Sequence, residues 1–177
     1  MKIIETERLI LRTWKDSDSD AYYHINQNPI VTEFLGGPLS MQEIQDFIKS
    51  QNQQFHQTAY ALWAAEEKSS GKLIGFIGLN QLETGFSFSP CVEIGWRLGS
   101  EYWTKGYATE GAAAVLKYGF EHIKLKEIIA FTAQDNIRSM RVMEKIGMVK
   151  DVKGDFAHPK LPEDHRLSQH VLYRIRH

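Results

Sequence analysis

The chain has 177 residues, 42% of them hydrophobic and 24% charged, with 21 basic against 22 acidic side chains and a formal net charge of -1. This is the composition of an ordinary globular chain: it excludes a disordered one, suits a single domain over residues 1–177, and gives no global attraction to nucleic acid or an anionic membrane. No apolar run approaches the about 18–20 residues of a membrane helix, the acidic N-terminal segment is unlike a signal or transit peptide, and the lone Cys91 can form neither an internal disulfide nor a thiolate metal cluster, so a cytoplasmic protein is expected.

In chain order, Ile3 and Ile4 followed by Leu9, Ile10 and Leu11 predict an opening strand, flanked by Arg8 and Arg12. The run Asp16-Ser17-Asp18-Ser19-Asp20 is rich in helix N-cap formers and predicts a helix through Ala21, Tyr22, Tyr23 and Ile25. Asn28-Pro29 and Gly36-Gly37-Pro38 break the chain. Ser40 with Glu43 three residues on is a capping box, and Met41, Ile44, Phe47, Ile48 and Phe55 mark the apolar face of a second helix.

The middle is rich in strands. Residues 60–65 and 73–79 read as a pair joined through Ser69-Ser70-Gly71. Across residues 92–98, alternation puts Val92, Ile94, Trp96 and Leu98 on one face and Glu93, Gly95 and Arg97 on the other. Residues 106–123 predict a long helix, with Ala108, Ala112, Val115 and Gly119 at helical spacing and Gly111 permitting close approach. A short buried strand over 127–132 and a helix over 136–146, stopped by Gly147, come next. Strands near 148–152 and 171–175 end the pattern. The order β-α-α-β-β-β-α-β-α-β-β, with no internal repeat and no dividing linker, predicts a mixed α/β (α+β) domain.

Chemistry concentrates in two stretches. The strand over 92–98 feeds a loop that reaches Lys105 and Gly106, and a helix starts at once. Free amides at a helix N-terminus, at the positive end of its dipole, bind anions, and Lys105 adds charge. A phosphate or pyrophosphate site is one reading; a glycine that only makes a tight turn is the other. No G-x-x-x-x-G-K-[ST] and no G-x-G-x-x-G after the first strand is present, and no H-E-x-x-H or paired-cysteine spacing suggests zinc, so no metal is expected. In the second stretch Asn136 opens a helix and Ser139 lies three residues on, roughly on the same face; by themselves they read as an N-cap and a surface serine.

Together the two stretches resemble the GNAT (Gcn5-related N-acetyltransferase) superfamily, and look most like its RimJ/RimL branch. The family's [QR]-x-x-G-x-[GA] motif reads here Trp103-Thr104-Lys105-Gly106-Tyr107-Ala108, with Trp103 where Gln or Arg is usual. The phrase EIGWRL before it, N-x-x-S-x-x-V-x-E-K-x-G-M after it and the opening ETERLILR complete the pattern in order. The resemblance implies a GNAT-like single domain: a mixed central sheet of about six to seven strands, two of them parallel, central and splayed, flanked by about four helices. It implies acetyl-CoA as co-substrate, lying where the strands over 92–98 and 127–132 part. Trp96, Arg97 and Leu98 would line the pantetheine arm, amides from Thr104, Lys105, Gly106, Tyr107, Ala108 and Thr109 would hold the pyrophosphate, and Asn136 and Ser139 would sit near the pantetheine and the thioester sulfur. Many relatives are dimers, so a homodimer is also allowed.

The implied reaction moves the acetyl group directly to a primary amine, a protein N-terminus or a small amine, within a ternary complex. An amine of pKa about 8–10 is mostly protonated at neutral pH, so a base is needed, and Glu93 is the candidate; its plain structural alternative is a strand glutamate paired with Arg97. Many members protonate the leaving thiolate with a tyrosine, but Met143 stands at that position. Ser139 is the substitute, as acid or only as hydrogen-bond donor. Cys91 lacks any local partner that would activate it. The tail holds His158, His165 and His170, read as solvated loop residues, or as walls of the acceptor pocket (His158 and His170). Tyr22, Phe34 and Trp63 are further acceptor-wall candidates or core aromatics. A non-catalytic acyl-CoA-binding sensor is the alternative function, favoured by the missing tyrosine.

Overall fold

Nine strands form one sheet in the order β1-β2-β3-β4-β5-β6-β9-β7, with β8 paired to β9. The structure is a computed structural model that describes residues 1–177. The strands are β1 (Lys2–Glu5), β2 (Leu9–Arg12), β3 (Leu62–Glu67), β4 (Lys72–Leu82), β5 (Cys91–Leu98), β6 (Glu127–Ala133), β7 (Val149–Lys150), β8 (Phe156–Ala157) and β9 (Gln169–Arg176). The helices are α1 (Ser19–Gln27), α2 (Pro29–Thr32), α3 (Met41–Thr58), α4 (Tyr107–Glu121) and α5 (Ile137–Lys145). No helix is long and apolar enough to cross a membrane.

The expected mixed α/β architecture is present, with more elements than the pattern of apolar residues indicated. The opening strand is two strands, because the Thr6 hydroxyl accepts the Leu9 amide at 2.9 Å and Thr6 N–H bonds back to Leu9 O at 2.9 Å, which turns β1 onto β2 as a hairpin. Asn28-Pro29 starts a helix where a break was expected. The Asn28 side chain accepts the Ile30 amide at 3.0 Å, and proline at the first helical position gives up only an amide that has no intrahelical partner. The third addition, β8, is two residues held against His170 and Gln169.

The sheet buries different helices on its two faces. Leu9, Leu11, Ile77, Leu79, Ile94, Leu98, Ile128 and Ala130 pack with Ala112, Val115 and Leu116 of α4 and Met143 of α5. On the other face Ala64 and Phe76 pack with Tyr22 of α1 and Ile44 and Ile48 of α3. The α4 contact is close because Gly111 lies over Ile77: a Cβ there would stand 2.3 Å from Ile77 Cδ1. Seven of the eight neighbouring strand pairs are antiparallel. The exception is β5 with β6, parallel and joined at a single register position, Glu93 opposite Ile129. Beyond it the two strands diverge.

Candidate active site

That divergence leaves one edge of β5 open. Gly99 N–H donates to Ile74 O of β4 at 2.9 Å, and Arg97 O also faces β4, against Gly75. Since backbone groups alternate sides along a strand, those of Trp96 and Leu98 point into the gap toward β6. The Leu98 carbonyl accepts the Trp103 indole N–H at 2.8 Å, across the mouth of the gap. An extended chain carrying amide groups fits beside this edge as an added strand would.

The gap leads to the N-terminus of α4. Gly106 is the N-cap residue at φ +86°, where a side chain is disfavoured, and Thr104 is also left-handed at φ +60°. The first capping bond runs from Glu110 N–H to Gly106 O at 2.9 Å, so the amides of Tyr107, Ala108 and Thr109 remain free of intrahelical partners. Thr104, Lys105 and Gly106 are exposed, and Lys105 pairs with no carboxylate. The loop is braced from the β1–β2 turn. Arg8 donates to Lys105 O at 2.8 Å and to Glu110 at 2.6 Å, its guanidinium lies 4.5 Å from the centre of the Tyr107 ring, and Glu110 also accepts the Thr6 hydroxyl at 2.6 Å. Free amides, an unpaired lysine and a shaped loop suit a pyrophosphate.

Glu93 stands where the strands part, opposite Asn80 on β4 and Ile129 on β6, on the face turned from α4. Burial pushes its carboxyl up to about 8, with the Asn80 amide pulling the other way. It makes no ion pair with Arg97. That guanidinium instead bonds Asn26 of α1 and lies 5.8 Å from the Phe76 ring centre, on the α1 face, so the Arg97 side chain does not enter the gap expected to hold the cofactor. Its backbone faces β4 as well, whereas the backbone groups of Trp96 and Leu98 face the gap. Cys91 is half-buried, its thiol pushed up to about 11 chiefly by burial and next by Glu93, which makes it a poor nucleophile.

Asn136 caps α5, accepting the Ser139 amide at 3.3 Å and donating to the Thr132 hydroxyl at 2.9 Å. Ser139 is half-buried and its hydroxyl is free of protein partners. Met143, one turn further, is 1% exposed and part of the core under α5. Its position therefore supplies packing and no proton donor.

The acceptor-wall candidates separate. Trp63 is 1% exposed and packs edge-on against Tyr118, and Tyr22 is fully buried among Trp14, Phe47 and Phe76; neither lines an open wall, because the register of β3 and the apolar face of α1 turn them inward. Phe34, just past α2, is half-buried with the Arg166 guanidinium 5.9 Å from its ring centre. His158 and His170 lie together, ring centres 4.9 Å apart, whereas the His165 ring only accepts the Leu167 amide within its own turn. No group of three or more His, Cys, Asp or Glu side chains is placed to hold a metal. A separate cavity of about 660 Å³ lies between α1 and the β3–β4 turn, but the charges at its floor are matched, Arg12 to Asp18 at 2.7 Å and to Glu66 at 2.8 Å.

A parallel strand pair that opens after one bridge, with a helix N-terminus at its mouth, defines an acyl-CoA-binding fold of the GNAT type. The family model described as acetyltransferase (GNAT) domain matches residues 8–149, and the chain belongs to that family. It is an acetyl-CoA-dependent N-acetyltransferase, which sets aside the sensor alternative. The uncharacterized N-acetyltransferase YoaA of Bacillus subtilis is 31% identical over 151 residues, 84% of each chain. The acetyltransferase (GNAT family) from Bacillus anthracis superimposes with a TM-score of 0.81 at 29% identity, covering 98% of this chain and 97% of that one. RimL, a ribosomal alpha-N-protein acetyltransferase solved in complex with coenzyme A, shares the fold at 16% identity, with a TM-score of 0.79 over 99% and 98% of the two chains.

Proposed function

We propose that the protein acetylates a primary amine directly from bound acetyl-CoA, with Glu93 as general base. The observation that carries this reading is the placement of a carboxyl with a raised pKa at the single β5–β6 bridge, at the root of the gap. The thioester supplies the activated acetyl group. The backbone of Trp96 and Leu98 would hold the pantetheine amides, and the α4 amides with Lys105 would hold the pyrophosphate, a helix-terminus contact favoured by the dipole. Asn136 orients the first turn of α5 through Thr132 and Ser139, which leaves the free Ser139 hydroxyl as a donor to the sulfur.

Proton balance sets the roles. The acceptor arrives as an ammonium ion, loses a proton to Glu93, and forms its N–C bond as the C–S bond breaks. The second amine proton leaves as the amide forms, and one proton goes to the departing thiolate. Positioning of both substrates supplies much of the acceleration, and a well-placed base adds about 10²–10⁴. A carboxyl at about 8 is mostly protonated at neutral pH, so turnover should climb as pH rises toward 8. Thiol release across a panel of amines, with Glu93→Gln beside the native protein, tests the reading; a variant with native turnover at every pH removes Glu93 from the mechanism.

A further inference from the structure

A second cluster of side chains lies on the Glu93 face of the sheet. Ile129 pairs with Glu93, and Phe131, two residues further along β6, shares its face. Around Phe131 stand Phe86 at 5.1 Å between ring centres, Phe156 at 5.5 Å, His170 at 6.0 Å and Phe88 at 6.1 Å. Phe86 and Phe88 stack on each other at 5.2 Å and 12°, and His158 packs edge-on to Phe86 at 5.6 Å. These six rings come from the β4–β5 connection, β6, β8 with the residue after it, and β9. Only His170 is buried; the other five keep contact with solvent, so they form a wall and not the interior of a core.

The chemistry of this wall is selective. Phe34 and Phe76 each have an arginine near the ring face, but no arginine or lysine lies over Phe86, Phe88, Phe131 or Phe156. Burial, with Lys160 near His158 and the Ser168 carbonyl opposing it at His170, lowers both imidazoles, which leaves them neutral at pH 7. A neutral aromatic wall takes a flat apolar group at a gain and offers no carboxylate to a second ammonium. Two residues of strand separate Phe131 from the Glu93 level, about 7 Å, which an aromatic ring and its ethylamine chain span together.

We propose that these rings form the acceptor subsite and that the acceptor is an arylalkylamine, its ring against Phe86, Phe88, Phe131 and Phe156 and its amine at Glu93. This rests on the acetyltransferase reading of the same site. Offsetting or edge-to-face contacts with the phenyl rings would hold the acceptor ring, and the β4–β5 connection, which carries Phe86 and Phe88, would set which rings fit.

The test is acetyl-CoA-dependent thiol release by the full chain with 2-phenylethylamine, tryptamine, n-hexylamine, spermidine and a short peptide with a free N-terminus. The arylalkylamines should exceed n-hexylamine in kcat/KM on the order of 10–100-fold. Phe88→Ala, on the connecting loop, should raise KM for 2-phenylethylamine on the order of tenfold and narrow the gap to n-hexylamine, while Phe88→Tyr keeps the preference. Spermidine, the peptide or n-hexylamine acetylated as well as the arylalkylamines would overturn the subsite and leave the acetyltransferase reading standing. Absence of transfer to every amine by protein that binds acetyl-CoA would overturn both.

Discussion

The indole N–H of Trp103 donates to the carbonyl of Leu98 at 2.8 Å. Trp103 occupies the motif position where glutamine or arginine is usual, and it holds the loop before α4 against the open end of β5. Its other face takes the Arg138 guanidinium at 4.6 Å, and Arg138 pairs with Glu33 at 2.9 Å, so the loop, α5 and the end of α2 are tied at the mouth of the gap. Trp103→Phe keeps a ring for Arg138 and removes the hydrogen bond. Acetyl-CoA affinity should fall on the order of three- to tenfold, as expected for one hydrogen bond of about 1 kcal/mol, measured by calorimetric titration. Unchanged affinity would make the Leu98 contact incidental.

The Arg8 brace predicts a pH effect. Burial raises the Glu110 carboxyl, but Thr6, the Arg8 amide and the Arg8 guanidinium outweigh it and hold the group below its ordinary range. A carboxyl lowered in the fold stabilises above its unfolded value and loses that contribution as pH falls through the folded value. Glu110→Gln should therefore lower the melting temperature more at pH 7 than at acid pH. Because Arg8 is 40% exposed, the ion pair itself contributes at most about 1 kcal/mol. Equal destabilisation at both pH values would deny the brace its charge.

Gly106→Ala places a Cβ 3.3 Å from Arg8 Nη2 at a φ of +86°. Strain of about 1–2 kcal/mol should show as a lower melting temperature, together with loss of the stabilisation that acetyl-CoA gives the native protein. A variant that melts and responds to acetyl-CoA like the native chain would mean that the left-handed cap is not needed.

Ser139→Ala removes the one free hydroxyl on the first turn of α5. A drop in kcat of about tenfold with little change in KM for the amine fits a donor that acts on the departing thiolate. A change confined to stability would leave the serine structural.

Much of the site was legible in the chain because it follows from local rules. Alternation over β5 separated Glu93 from Val92, Ile94 and Trp96, and Gly106 before an amphipathic run marked the start of α4. What stayed hidden depends on contacts between distant residues. The split of β1 from β2 hangs on one threonine hydroxyl, and the Arg8–Glu110 brace spans 102 residues of sequence. Trp63 and Tyr22 were open to both a wall and a core reading, since an aromatic on a strand or helix can face either way until register is set. Phe131 and the rings around it come from four separate parts of the chain. Only the histidines among them carried a signal, and that signal named His158 and His170 without their phenylalanine partners.

The most direct test is the pH dependence of kcat/KM for the native protein and Glu93→Gln, with each sample's melting temperature recorded. The native rate should rise about tenfold per unit below pH 8 and level off above it. The variant should lose about 10²–10⁴ in rate and lack the break at pH 8, following only the amine's own titration. A carboxyl raised by burial costs stability as pH climbs from its unfolded value through about 8, so the variant should also be the more stable protein at pH 8 and gain nothing near pH 4. A levelling-off near pH 8 that survives in a stable Glu93→Gln variant would contradict the assignment of Glu93 as the base.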